Sequence, residues 1–588
     1  MGDSMTGKLR KALFLISAFG FASTAQAQAA VPTREEVNPA PPPREPAPPK
    51  VSVDSSNAFA RGPCPLDTSD LRTTIPSIQF GGVGGKPLAP ELRSILAKVH
   101  APAGEQPVRA VCDIRDTANA ALRAARYVAT VQIPAQRLEG GPLLLEVVTA
   151  HIIETRVRGN AGPYEGLIER RIATLQSYDP LNEAQAERLL LLADDIPGLD
   201  VRLALQPAGG APGEVIGELT VDYHPYGLIV NAQNYNSRQL GRETLYARAE
   251  LYGLTGLGDL TYIAGSVTAD FKEQKIIQVG HEMLLDQTGA SLALRATYAD
   301  SRPTLPSLEL RTKSWILNAE LTQPLLRSVN DNYYLGVGIE RIDQRTELGG
   351  AGGAGGGGKA ALNLDRISTL YLRLVGNSRR LHRDGTEATA LSGFAEFRKG
   401  IDVFKTTKTG VITKDGFAPS RFEGDAKAWV IRGQLDGKIG FGPIFELFGS
   451  GRGQWTNQPL LNYDEFSIGN LTVGRGYDPG ANTGDKAYGL TGEVRVNLPT
   501  GPRLATQVFG FYDHVRLFNL DTGSTERDRK IDSYGGGVRF TLPGYARLDL
   551  TYAHPLDPPL LTGTTAKVPS DRVLVSFTAQ LVPFGGRR

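Results

Sequence analysis

Two stretches hold groups able to make a strong ionic contact. Val473-Gly474-Arg475-Gly476-Tyr477 sets an arginine between glycines and before an aromatic ring, and Phe511-Tyr512-Asp513 follows further on. Side chains alternate along an extended strand, so Asp513 shares a face with Phe511, Phe509 and Gln507. If that face lines a pore and the arginine's loop folds inward, Arg475 meets Asp513. Such a pair makes charge-assisted, often bidentate bonds, and in a dry site a partner left alone is costly. That is the chemistry of a latch. The competing reading makes Gly474–Tyr477 a surface turn and Asp513 a solvated residue.

Other reactive side chains are scattered. The seven histidines (His100, His151, His224, His281, His382, His514, His554) show no metal-ligand spacing, and neither G-x-S-x-G nor H-E-x-x-H occurs. No metal site and no enzymatic activity are expected. Residues 349–359, GGAGGAGGGGK, match two phosphate-loop patterns, but Ala360 stands where magnesium needs a hydroxyl, and no strand-to-helix context surrounds them. They read as an external loop, and no cofactor is expected. Cys64 and Cys112 are the only cysteines. In an oxidising compartment one disulfide between them is the default expectation, with two unpaired buried thiols as the alternative.

Export is indicated by the first residues. Lys8, Arg10 and Lys11 precede an apolar run from Ala12 to Ala22 and then Ala25-Gln26-Ala27, the pattern of a signal peptide spanning 1–27. The run is too short to cross a bilayer, and no later segment is long and apolar enough for a transmembrane helix. A net charge of +2 gives no case for nucleic acid as partner. Hydrophobic residues at 41% and a mean hydropathy of −0.20 resemble a soluble protein. A membrane barrel has the same average, because each strand alternates lipid-facing and lumen-facing residues.

The elements that must position the latch follow in order. Residues 28–64 form an N-terminal segment containing the extended spacer NPAPPPREPAPP at 38–49. Residues 65–150 and 151–224 read as two small α+β units with the order β-α-α-β-β. In the first, strands fall at 75–80, 127–133 and 143–148 and helices at 90–100 and 117–126. In the second, strands fall at 151–158, 201–205 and 214–223 and helices at 164–175 and 182–194. From 225 to 588 helical periodicity gives way to alternating segments such as Leu548, Leu550, Tyr552 and Val573, Val575, Phe577. Sixteen strands are expected, beginning near 226, 244, 259, 275, 290, 311, 331, 366, 385, 427, 445, 486, 504, 527, 546 and 571. Tight turns at 253–258, 286–289, 327–330 and 498–502 alternate with long connections at 349–365, 402–426 and 458–485, as in outer-membrane barrels. An even strand number returns both ends to the periplasm.

With these residues in place the chain resembles the two-partner secretion transporters, the TpsB family of haemolysin and adhesin exporters. GRGY at 474–477 is similar to the family's VRGY signature, with Gly474 in place of valine, and FYD at 511–513 to its F-x-D motif. YVATVQIPAQRLEGGPLLLEVVTAHI at 127–152 resembles the family's first POTRA (polypeptide-transport-associated) domain, and QPLLRSVNDNYYLGVG at 323–338 its barrel. The resemblance covers residues 65–584. It implies a mainly β fold: a sixteen-stranded transmembrane antiparallel barrel preceded by two POTRA domains held in the periplasm. It further implies recognition of a secreted partner exoprotein, an adhesin or cytolysin, and its export without nucleotide hydrolysis. Arg475 and Asp513 would be the loop–barrel latch, supported by Gly474, Gly476, Tyr477 and Phe511. Outer-membrane lipid and the barrel-assembly machinery are the other expected partners. The chain departs from the family in two places. Only residues 28–38, with Pro32 among them, precede the spacer, too few for the full pore-plugging helix of some members. And Phe584, where such barrels usually end on an aromatic, is followed by Gly-Gly-Arg-Arg. A barrel-assembly insertase of the same superfamily and a passive porin are the competing functions.

Overall fold

The structure, a computed structural model, describes residues 31–42, 53–54, 58–59, 64, 66, 69–137, 140–305, 309–349, 360–501, 503–524, 526–560 and 567–581. The signal peptide, most of the proline-rich spacer, the glycine-rich stretch 350–359 and Phe584 with its tail lie outside the described residues. A single helical turn, α1 (Arg34–Val37), and a short strand, β1 (Val53–Asp54), come first.

The first α+β unit contains β2 (Arg72–Thr74), β3 (Ile78–Gly82), α2 (Pro90–Leu96), β4 (Glu105–Pro107), α3 (Ala110–Ala124), β5 (Ala129–Gln132) and β6 (Leu143–Thr149). The second contains β7 (His151–Asn160), α4 (Glu165–Gln176), α5 (Glu183–Asp194), β8 (Leu199–Pro207) and β9 (Glu214–Tyr223). The two sheets share one topology. β3 runs parallel to β6, which pairs antiparallel with β5; β7 runs parallel to β9, which pairs antiparallel with β8. Each unit packs its two longer helices on one sheet face around a separate apolar core, Leu92, Leu122 and Leu143 in the first, Tyr164, Leu191 and Val201 in the second.

Several elements differ from the sequence expectation: the strand expected at 75–80 runs over Ile78–Gly82, the short strands β2 and β4 were not expected, and three further boundaries move. α3 begins at Ala110, not 117, because nothing marks its start: no side chain caps it, and Asp113, Arg115 and Asp116 break the apolar run without leaving the helix. Its buried face is Val111, Ile114, Ala118 and Leu122. α2 ends at Leu96 rather than 100. The strand expected from 366 starts at Ala360, directly after the glycine run.

The remaining chain closes into a barrel of sixteen antiparallel strands. They are β10 (Tyr226–Gln233), β11 (Thr244–Tyr252), β12 (Leu260–Thr268), β13 (Gln274–Leu284), β14 (Ser291–Ser301), β15 (Glu309–Arg327), β16 (Asp331–Gly349) and β17 (Ala360–Leu381). The circuit continues through β18 (Glu387–Gly400), β19 (Trp429–Phe441) and β20 (Phe445–Trp455). The loop after β20 contains β21 (Phe466–Ser467) and β22 (Thr483–Gly484), which pair with each other and not with the wall. β23 (Lys486–Leu498), β24 (Ala505–Phe518), β25 (Asp528–Leu542), β26 (Ala546–Pro555) and β27 (Arg572–Leu581) complete the wall. β27 closes the circuit on β10, from Leu228↔Leu581 to Gln233↔Ser576. Closure matters because an open edge in hydrocarbon would leave amides without partners. Among the described residues no helix is long and apolar enough to cross a membrane. Strands make the crossing.

The second unit is docked on the tight-turn end of the barrel. Arg327, at the end of β15, binds Asp195 bidentately at 2.7 and 2.8 Å, and the Val329 amide donates to Glu187 at 3.2 Å. Glu187 also accepts from Arg126 of the first unit at 2.6 Å, so one carboxylate touches all three bodies. The Tyr164 hydroxyl donates to the carbonyls of Pro197 and Asp259, both at 3.1 Å, and burial raises its pKa so that it keeps this proton. Gly253 has φ +74°, and a Cβ there would lie 2.3 Å from Pro163, so only glycine lets the β11–β12 turn meet the second unit this closely. β1 pairs in parallel with Leu203–Ala204 of β8, which returns the N-terminal segment to the second sheet.

Cys64 and Cys112 are joined by a disulfide that ties the segment before β2 to the first turn of α3. The closed loop spans a sequence separation of 48. Reduction should lower the stability of the first unit by about 2–4 kcal/mol through the entropy returned to its unfolded chain. Chemical denaturation with and without reductant, followed by limited proteolysis within 65–150, measures this; identical midpoints would refute it.

Candidate functional site

Strand parity builds the site. Along β24, Phe509, Phe511, Asp513, Val515 and Leu517 are buried and face the lumen, while Val508, Tyr512 and Arg516 face out. The loop from 456 to 485 turns into this lumen as a hairpin, its neck tied by β21 and β22 and its tip carrying Val473–Tyr477.

At the tip the structure brings Arg475 onto Asp513. The guanidinium donates through Nε and Nη2 to the two carboxylate oxygens at 3.1 and 2.8 Å, and the Arg475 amide adds a third bond at 2.9 Å. Nη1 reaches Glu493 on β23 at 2.6 Å, and the Phe511 ring lies 3.5 Å beneath the guanidinium carbon. Asp513 is 1% exposed and takes a further bond from Thr491 at 2.8 Å. Glu493 is shared with Arg495 and Arg539, so the latch sits in an alternating ionic chain rather than an isolated pair. Charge-assisted, nearly dry and bidentate, it belongs to the strong class of polar contacts.

The neighbours of the arginine explain the rest of the motif. Gly474 has φ +97°, a conformation that disfavours side chains. At Gly476 a Cβ would stand 2.9 Å from Ser533 and 3.0 Å from Pro555, so the tip lies flat on β25 and β26 only without one. Tyr477 is fully buried and donates to the Asp532 carbonyl at 2.7 Å. The wall is shaped to match. Val473 occupies the space over Gly489, and Gly535 and Gly537 leave room for the rings of Phe511 and Phe509, where a Cβ would come within 2.8 Å of either ring.

A second anchor was not read from the sequence. Arg421, in the loop between β18 and β19, binds Asp485 at 2.5 Å and Glu465 at 2.7 Å and also pairs with Asp521. Asp485 is fully buried and accepts from the amides of Leu460 and Leu520, both at 2.7 Å. This cluster ties the hairpin base to two other external loops. Asp478 meets Arg242 at 3.1 Å and Arg572 at 2.9 Å near the seam where β27 closes on β10. No local signal marks these residues, because each arginine lies far in sequence from the hairpin carboxylates it meets. Cys64, just before the first α+β unit, and Cys112, within it, take no part.

The N-terminal turn α1 also sits in the lumen. It is one turn, four residues long, closed by a capping box in which Glu36 and Thr33 exchange bonds. Glu36 accepts from the Ser237 amide at 3.2 Å, Gln274 donates to the Glu36 carbonyl at 3.0 Å, and Ser467 of the hairpin donates to Glu35 at 2.9 Å. Val37 packs with Ile276, Ile316 and Ile342 of the wall. Beside turn and hairpin remains a cavity of about 970 Å³ lined by Arg373, Arg398, Arg432, Arg452, Arg539 and Arg547.

No family model matches the chain. It is 21% identical over 443 residues to the heme/hemopexin transporter protein HuxB of Haemophilus influenzae strain 86-028NP, covering 73% of this chain and 74% of that protein. HuxB of strain ATCC 51907 matches to the same extent, 21% over 445 residues. CdiB from Escherichia coli superposes with a TM-score of 0.66 at 14% identity, over 89% of this chain and 94% of that one. CdiB from Acinetobacter baumannii gives 0.57 at 14%, over 95% and 96%. The structural likeness extends over the α+β units and the barrel together.

Gly476→Ala should loosen the hairpin tip, because the added methyl meets backbone and costs about 1–3 kcal/mol. A cysteine placed by Leu471→Cys, beside the cavity, would report it, since both native cysteines are in a disulfide. Maleimide labelling should quicken several-fold in the double variant relative to Leu471→Cys alone; equal rates would show that the tip does not depend on Gly476.

Proposed function

We infer the working of this chain from its class: it is a two-partner secretion transporter of the TpsB family, a protein of the outer membrane. In our reading the two POTRA units, 65–150 and 151–224, receive an unfolded exoprotein in the periplasm and pass it to the barrel. The lumen conducts it outward, and folding outside supplies the free-energy gradient through burial of apolar surface. We assign no catalytic step and no nucleotide to this cycle. The cargo we propose is a large secreted exoprotein, an adhesin or cytolysin. The likeness to HuxB, named as a heme/hemopexin transporter protein, adds an exoprotein that handles haem or hemopexin to that class.

The observation that carries this reading is the hairpin latched inside the lumen, directly beyond the second unit, which is docked on the barrel's tight turns with the first unit tied to it through Arg126 and Glu187. A passive porin has no use for such docked units. The Arg475–Asp513 bond sets the hairpin's position, so export should depend on it while the wall does not.

Arg475→Ala and Asp513→Asn should each cut export of the chain's cognate exoprotein by about tenfold or more, the effect of ~1.4 kcal/mol in a controlling equilibrium. The amount of heat-modifiable barrel should stay near normal. Because the two side chains act as a unit, the double variant should be little worse than either single one. Deleting 65–150 should stop export while the barrel still inserts. Normal export by both single variants would remove the latch from the mechanism, and export by the truncated chain would remove the receptor role of the first unit.

A further inference from the structure

We propose that the barrel's outer face carries a specific site for a phosphate-bearing, multiply acylated lipid of the outer leaflet, seated on Arg341 and the apolar groove below it. The outward positions of β16 read Tyr333, Leu335, Val337 and Ile339, then Arg341, Asp343, Arg345 and Glu347. β16 leaves the tight turn on the periplasmic side. Ten residues at ~3.4 Å each, on a strand tilted by ~40°, raise Arg341 by roughly 25 Å, the height of a barrel's apolar band. Arg341 therefore stands where hydrocarbon gives way to headgroups on the external side.

Below it a groove of about 980 Å³ runs over the outward side chains Leu251, Ile263, Val279, Leu294, Leu317 and Ile339; Arg341 and Phe404 also line it, and its polar Thr261 and His281 bond each other at 2.8 Å. An acyl chain is the occupant that fits this chemistry. The headgroup position is cationic. Arg341 donates to the Ser368 hydroxyl at 2.8 Å and to the Phe404 carbonyl at 2.7 Å, and has no ion-pair partner among the described residues. Around it Asp343 is taken by Arg366 at 2.8 Å, Glu347 by Arg345 at 2.9 Å and Asp300 by Arg311 at 2.5 Å, which leaves Lys313 and Lys405 without an ion-pair partner among the described residues. A guanidinium held by neutral acceptors and ringed by excess positive charge favours a phosphate.

Phe404 is the independent sign. It is 72% exposed, and it and Lys405 take left-handed φ values of 56° and 61°, unusual for two consecutive residues that are not glycine. The turn holds an aromatic ring out beside the groove and sets the next side chain, a lysine, at headgroup level. Among acyl chains that ring is buried and the strained turn has a purpose.

The test uses the full-length protein in detergent and native mass spectrometry, with diphosphorylated hexa-acyl lipid A, its dephosphorylated form and inorganic phosphate as probes. The phosphorylated lipid should be retained about tenfold better than the dephosphorylated one. Lys405→Gln and Phe404→Ser should each weaken that retention with the fold intact by heat modifiability, and Arg341→Gln should weaken it most. Because Arg341 also pins the loop at Phe404, the first two variants decide the matter if the third misfolds. Equal retention of both lipid forms, unchanged retention by the Lys405 and Phe404 variants, or full displacement by inorganic phosphate would each overturn the proposal.

Discussion

A strand in hydrocarbon can satisfy its amides only with another strand, so the sheet must close on itself, and most of this molecule follows from that. Closure makes every strand two-sided. One face meets lipid and sheds charge; the other meets the lumen and can keep it. Polar and ionic side chains then collect inside the wall, where partial dryness obliges them to pair. The chain Arg475–Asp513, Arg475–Glu493 and Glu493–Arg539 shows the outcome, with opposite charges alternating across neighbouring strands. The wall does not depend on these pairs for its closure, which rests on backbone bonds from β10 round to β27. Side chains in the lumen are thus free to serve something other than stability.

What they hold is a loop. A hairpin inside a barrel has no sheet of its own beyond the two residue pairs of β21 and β22, so side chains must place it. Tip and base are fixed separately, by Arg475 on the wall and by Asp485 on Arg421. Each anchor is a buried carboxylate meeting an arginine, a contact that is strong when complete and costly when one partner leaves. Glycine supplies the shape: the wall is bare where Val473, Phe509 and Phe511 press on it, and the tip is bare where it lies on the wall.

The barrel was legible because its code is local. Period-two alternation and the contrast of tight and long connections depend on neighbouring residues only, and the strand starts read from them fall within about two residues of those seen, β17 excepted. There the glycine run masked the first turn of pattern, as the uncapped entry of α3 masked that helix. Asp513 could be placed in the lumen by the same parity, and Arg475 was found by its unusual setting between glycines. Arg421, Glu465 and Asp485 could not be found. Their meeting is decided by how three loops fold back over one another, and none of the three has a periodicity that points at the others. Nor did the short segment before the spacer suggest a helix, since a single capped turn needs only Thr33 and Glu36 to form.

That turn bears on how the lumen opens. Most of what holds it is polar: the Glu36 carboxylate on a backbone amide, its carbonyl on Gln274, Glu35 on a serine of the hairpin. The neutral Gln274 bond is worth about 1 kcal/mol net and the two carboxylate bonds about 1.5–3 kcal/mol each, with Arg452 also 3.8 Å from Glu35. An apolar plug of equal size would instead have to expose its surface at ~25 cal/mol per Å² on leaving, and here Val37 is the one residue of the turn in an apolar cluster. The tip differs, because Arg475 gives up several charge-assisted bonds and its ring contact at once. A lumen closed in these two ways has a weak stop and a strong one. The N-terminal turn is tied by fewer charged contacts than the hairpin tip, whose release would leave Asp513 and Arg475 without partners in a nearly dry site.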